Sequence, residues 1–289
     1  MSTSRAIAIG AAGTAERSLT LRFPDHGTDL PQDEEWCELR VAQQWRRLRF
    51  HDYDEIYRVP GLYESLFYRA LRCNSPKRVV GLLREVMADA GQRPDGLRVL
   101  DVGAGNGMVG EELRHLGVAA VHGIDIIAEA RDATLRDRPW VYDEYHVVDL
   151  CDLPEPVEKR LRRAQLNALT VVAALGFGDV PAAAFLGALD LLEPRGWLAF
   201  NIKEDFIQDR DDSGFAELLR QLRSADVIRM QAYRRYRHRL SAQGRPLHYV
   251  AMVATKERDL PDEFTEIASK LDLRHTAEPG DNGHGEPAR

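Results

Sequence analysis

Val99-Leu-Asp101-Val-Gly103-Ala-Gly105-Asn-Gly107-Met-Val-Gly110 is the stretch on which the fold turns. A short apolar run enters it, glycines punctuate it, and a helical pattern over Val109–His115 leaves it. A strand, a glycine-rich turn and a helix in that order let the backbone approach a ligand where side chains would collide.

The turn contains Gly105-Asn-Gly107-Met-Val-Gly110, a formal G-x-G-x-x-G that on its own suits a nicotinamide or flavin dinucleotide equally well. Asp101 separates the two readings. A carboxylate two positions before the first glycine repels a pyrophosphate and favours a cationic ligand.

Downstream of the turn, strands at Arg98–Val102, Ala120–Ile124, Glu144–Val148, Asn167–Ala173 and Gly196–Ile202 alternate with helical stretches that include Ala182–Leu192 and Phe215–Ser224. That order predicts an α/β fold with a mostly parallel sheet covered on both faces. The closing strands, Val227–Leu240 and Leu247–Thr255, are joined by Ser241–Pro246, which is shorter than the roughly dozen residues of a parallel crossover. They must run antiparallel.

Upstream, Trp36–Val41 and Trp45–Phe50 read as a hairpin across Ala42-Gln43-Gln44, despite poor turn chemistry. The aromatic-rich His51–Tyr57 follows, then Leu62–Leu71 with helical spacing. Ser75-Pro76 reads as an N-cap and an N1 proline opening a helix to about Ala90. The expected organisation is a flexible lead-in over 1–30 and an accessory lobe or lid over 31–95. The main domain takes 96–256, and a largely flexible tail over 257–289 holds one helix near Asp262–Leu271.

Over residues 96–256 the chain resembles the class I S-adenosylmethionine-dependent methyltransferases, on the pattern Asp101-x-Gly103-x-Gly105-x-Gly107. The resemblance implies a doubly wound, Rossmann-like, seven-stranded sheet with an antiparallel last strand. It implies S-adenosyl-L-methionine as cofactor, contacted by Asp101 and by the turn residues Gly103, Ala104, Gly105, Asn106 and Gly107. In Gly123-Ile-Asp125-Ile126-Ile it places Asp125 on the ribose hydroxyls with Ile126 beside it. In Val147-Val-Asp149-Leu150 it places Asp149 and Leu150 at the adenine. Residues after the fourth strand, Ala174 among them, flank the methionine part. Asp125 also stands about 20 residues beyond the glycines, an offset that suits a ribose carboxylate. With Asp101 on the cofactor's ammonium, Asp101→Ala is expected to weaken cofactor binding several-fold.

Methyl transfer from a sulfonium is a direct displacement, so positioning and exclusion of water can supply much of the acceleration. A general base helps when the acceptor is a hydroxyl. Candidates are His51 and Tyr53 in the lobe, and Lys203 and Glu204 at the end of the fifth strand. For the last two, an ion pair or a helix cap is the competing reading.

Net charge of -7 argues against a nucleic-acid partner, and the Asn/Asp-Pro-Pro-Tyr/Phe motif of many base and glutamine methyltransferases is missing. A small-molecule acceptor of a methyl on oxygen or nitrogen is expected. Cys37, Cys73 and Cys151 form no CxxC pair, so no metal site is expected. No apolar run approaches the ~20 residues of a membrane span, and a cytoplasmic location is expected. Tyr233–Arg239 is the most basic stretch, with Arg235, Arg237 and Arg239 expected on one solvated sheet face. The rival readings are an NAD(P)-dependent oxidoreductase and a methyltransferase-like module that binds the cofactor without catalysis.

Overall fold

The structure is a computed structural model that describes residues 6–9, 19–25, 30–175, 179–207, 214–264, 266–267 and 270. Seven strands form the main sheet. They are β5 (Arg98–Val102), β6 (Ala120–Asp125), β7 (Glu144–Val147), β8 (Ala168–Val171), β9 (Trp197–Lys203), β10 (Ile228–Leu240) and β11 (Pro246–Lys256), in the spatial order β10-β11-β9-β8-β5-β6-β7. β11 is antiparallel to both neighbours, β9 and β10, whereas β5 to β9 pair in parallel. This is the doubly wound sheet that the sequence predicts.

Every residue of β8, and all of β9 but its last, is buried, because helices cover both faces and leave no wet side to demand alternation. Helices α2 (Ser75–Asp89) and α3 (Met108–Leu116) help close one face. On the other face lie α5 (Glu155–Arg163), α6 (Ala182–Leu191) and α7 (Phe215–Ser224). Helix α4 (Ala128–Asp137) packs against β6 and β7 and also against α1 (Tyr53–Arg58) of the lobe.

The lobe holds a second, antiparallel sheet in the order β1 (Ala6–Ile9), β2 (Leu19–Arg22), β3 (Trp36–Val41) and β4 (Gln44–Arg49). Two of these strands fall where a flexible lead-in is expected. Four-residue strands are too short to display a period, and β2 is fixed by its partner: Leu21 pairs with Leu39 and is fully buried. The expected hairpin is present, and its turn departs from glycine chemistry by placing Ala42 and Gln43 at φ 45° and 69°. After α1, a π-helical turn over Glu64–Ala70 buries Leu66 and Phe67.

Ser75 is the first residue of α2 rather than its cap, which is Asn74. Its hydroxyl is drawn away by Tyr236 and His238, both at 2.6 Å. The three arginines of the basic run also part company. A bulge between Arg237 and Arg239 breaks the alternation, so Arg237 is exposed while Arg239 is buried against Glu35. Of the tail, residues 263–264, 266–267 and 270 are helical, and 271–289 lie outside the described residues.

Candidate functional site

The chain leaves β5 to one side of the sheet and β8 to the other, and ligands of open α/β sheets bind at the carboxyl ends of strands at such a reversal. The glycine turn follows β5 at this point. Gly103, Gly105 and Gly107 all take positive φ. A Cβ on Gly105 would lie 2.6 Å from the hydroxyl of Tyr57, so the lobe rests directly on the turn. Gly110 serves packing, since a Cβ there would lie 2.3 Å from Val141 Cγ1.

Asp125 ends β6 and ties the turn in place. Its Oδ2 accepts from the Gly105 amide at 2.8 Å and its Oδ1 from the Ile127 amide at 2.9 Å. Burial raises its pKa, and those amides oppose the rise. The Gly105 carbonyl accepts from Thr134 and Tyr145, each at 2.8 Å.

Asp101 lies beneath the turn, not in it. It is 1% exposed, and its oxygens accept from the Tyr142 and Thr170 hydroxyls, both at 2.7 Å. Burial pushes its carboxyl up to about 7, against the pull of the two hydroxyls. A carboxyl raised on folding stabilises the native state at low pH, and the contribution is lost as pH climbs from about 4 to about 7. Asp101→Asn should therefore gain stability relative to the native chain between pH 5 and pH 8, by about 2–3 kcal/mol. Urea denaturation across that range checks it, and parallel pH profiles would refute it.

Two cavities meet at this end of the sheet. One, of about 240 Å³, is lined by Asp125, Ile126, Ala174, Val180 and Tyr57 among others. The second, of about 70 Å³, reaches from the turn residues Ala104 and Asn106 to Cys73, His238, Arg239 and Tyr249. His51, Tyr53, Tyr63, Gly103, Ala173 and Asp179 line both. His51 Nδ1 stands 3.5 Å from Asp179 Oδ1. Tyr57 and Tyr63 stack at 4.9 Å, and the aromatic series continues to Tyr53 and Phe67. Burial raises the phenols of Tyr53 and Tyr57 well above their ordinary value, so both remain neutral donors at pH 7.

Behind the second cavity is a buried polar network. Asn201 on β9 accepts from the Ala173 amide at 2.6 Å and donates to Tyr236 Oη at 2.6 Å. Ala173, at φ 60°, is thereby held in a left-handed turn at the end of β8. His238 lies 4.1 Å from the Tyr249 ring, and burial, then the Arg239 charge, push its pKa well down.

The structure thus brings together His51, Tyr53, Gly103, Ala104, Gly105, Asn106, Asp125, Ile126 and Ala174. It does not bring in Lys203 and Glu204, which pair with Asp205 at 2.9 Å and Arg235 at 2.7 Å and line neither cavity. Asp149 and Leu150 also lie outside both. Asp149 is exposed and caps the short turn over Leu150–Asp152 through the Cys151 amide, and Leu150 packs against the core. Gly107 starts α3 behind the turn. Asp179, Cys73, His238 and Tyr249 carry no sequence signal, because each reaches the site through the tertiary fold.

Residues 100–200 match the family model described as a methyltransferase domain. The match runs from within β5, through the glycine turn, into β9 of the Rossmann-like sheet. No curated protein matches the sequence. Solved structures similar to the chain include the N-methyltransferase NodS from Bradyrhizobium japonicum, in complex with S-adenosyl-L-homocysteine. It is 13% identical over 72% of this chain and 98% of that one, with a TM-score of 0.48. Magnesium protoporphyrin IX methyltransferase from Synechocystis is 15% identical over 63% and 79%, with a TM-score of 0.43. An rRNA methylase from Streptococcus thermophilus is 19% identical over 63% and 98%, with a TM-score of 0.42.

The residues fit S-adenosylmethionine, the cofactor that the sequence resemblance implies. Asp125 faces the larger cavity with lone pairs beyond those its two amides use, as a ribose diol requires. Ile126, 63% exposed at the cavity's edge, offers an apolar surface for a flat base. Asn106 Oδ1, buried and without a hydrogen-bond partner, lines the second cavity as an acceptor for an ammonium group.

Proposed function

We propose that this chain transfers a methyl group from S-adenosylmethionine to an oxygen or nitrogen of a small-molecule acceptor held between the lobe and the sheet. The observation that carries the reading is the His51–Asp179 pair, standing where the two cavities meet. When bound, the cofactor supplies an electrophilic methyl carried on a sulfonium.

Asp125 and Ile126 would hold its adenosine side, and Ala174 with the backbone from Gly103 to Asn106 would face its methionine side. His51 takes the acceptor's proton, and Asp179 holds the imidazole in the orientation that does so. Tyr53, Tyr63 and Phe67 keep water from the reacting atoms. A roof of packed aromatic rings over a narrow cavity suits a compact acceptor better than a nucleic-acid strand, which agrees with the net charge of -7. No helix among the described residues is long and apolar enough to cross a membrane. The reading places the chain in the cytoplasm, with its three cysteines as free thiols.

The test is formation of S-adenosylhomocysteine with a panel of small hydroxyl and amine compounds, run beside RNA. Turnover with a panel compound supports the reading; turnover with RNA alone overturns it. Calorimetry with S-adenosylmethionine and with nicotinamide dinucleotides excludes the oxidoreductase if only the former binds. Asp125→Ala should lower S-adenosylmethionine affinity about 10- to 100-fold, the scale of losing hydrogen bonds to a charged acceptor. An affinity within a factor of two of native would show that the ribose lies elsewhere.

A further inference from the structure

Away from both cavities, the outer edge of the sheet brings three metal-ligating side chains together. His122 on β6 stands opposite Glu144 on β7, and His146 follows two residues along β7, on the same face as Glu144. Their donor atoms lie within 4.8 Å of one another. His122 Nδ1, Glu144 Oε2 and His146 Nε2 are all buried, and none has a hydrogen-bond partner. The His146 side chain is 10% exposed. Its Nε2 lies 3.2 Å from Glu144 Oε2, within ion-pair distance. The three side chains are half-buried, and their converging donor atoms, shielded from water, suit a cation shared between them.

We propose that His122, Glu144 and His146 bind one divalent transition-metal ion of the zinc class. Two imidazoles and one carboxylate are a donor set for such an ion, with a fourth position left to solvent. At zinc–ligand distances of about 2.0–2.1 Å, the edge of a tetrahedron is about 3.3 Å, which the His146–Glu144 separation of 3.2 Å already matches. Arg160, 3.9 Å from Glu144 Oε1, steadies the carboxylate from its other oxygen. The sequence gives no warning of this site, since CxxC and HxxxH spacings report on ligands close in the chain, and these meet across a strand pair. The ion would clamp β7 to β6 just before Asp125, whose partner in the ladder is Val147.

The experiment is a zinc titration of the full chain, stripped with a chelator, in competition with a chromophoric zinc indicator. One equivalent bound with submicromolar affinity is expected, together with a rise in Tm on zinc addition. Substituting Co2+ should give the intense visible bands of a tetrahedral site. His146→Ala and Glu144→Gln should each weaken zinc binding at least 10-fold while S-adenosylmethionine binding, followed by calorimetry, stays native. Glu144→Gln keeps the shape of the side chain, so it reads out the ligand loss even if His146→Ala fails to fold. Absence of a tight equivalent in the native chain, or unchanged zinc affinity in Glu144→Gln, would overturn the proposal.

Discussion

Glu35→Ala is expected to destabilise the chain by about 3–5 kcal/mol, the range for breaking one side of a buried ion pair. Glu35 and Arg239 lie 204 residues apart in sequence and meet at 2.6 Å, with side chains 1% and 4% exposed. The second Glu35 oxygen accepts from the Ala242 amide, so one carboxylate holds both the end of β10 and the turn into β11. Arg239 in turn donates to the Leu240 carbonyl at 2.9 Å and lies 5.4 Å from the Phe50 ring of the lobe. Truncating Glu35 leaves a desolvated guanidinium with no anion and a buried amide with no acceptor. Glu35→Gln should cost less, because it keeps an acceptor for one of the two donors. Replacing the pair together by Leu and Met should recover much of the loss, since the penalty comes from the stranded charge more than from the missing attraction. Urea denaturation at pH 7 measures all three. A loss below about 1 kcal/mol for Glu35→Ala would mean that water reaches Arg239 and that the pair behaves as a surface bridge.

That pair marks the boundary of what the sequence discloses. Residues 98–102 and 197–203 are legible as strands because burial on both faces demands continuous apolar runs, and a run is a local pattern. The turn from Gly103 to Gly107 is legible because positive φ demands glycine. Asp125 is legible as a cavity residue because its offset from that turn is fixed by one strand–helix–strand unit.

Nothing local announces that Arg239 turns inward while Arg237 stays in water; a single bulged residue decides it. Asp101 illustrates a subtler gap. Its position at the strand end is read correctly from the sequence, but the hydroxyls of Tyr142 and Thr170, which occupy both its oxygens, come from other strands and loops. Lys203 and Glu204 sit at a carboxyl strand end as well, yet their side chains pair with the exposed charges of Asp205 and Arg235.

His51→Ala should lower kcat about 10²- to 10⁴-fold for a hydroxyl acceptor, the range for removing a general base, with cofactor affinity close to native. His51 follows directly on β4 at the edge of the lobe, and its imidazole reaches the zone where both cavities are lined by Gly103 and Ala173. Asp179 approaches it from the segment after β8, so the pair spans the seam between lobe and sheet. Asp179→Asn should reduce kcat by less, because the imidazole remains and only its orientation and charge support are lost. Added imidazole should restore part of the activity of His51→Ala, which a purely structural histidine would not allow. For an amine acceptor that enters already deprotonated, the same substitution should change kcat little, so the ratio of the two effects identifies the atom that is methylated. A His51→Ala enzyme with native kcat on a hydroxyl acceptor would remove His51 from the chemistry. A loss confined to KM would make it a binding residue instead.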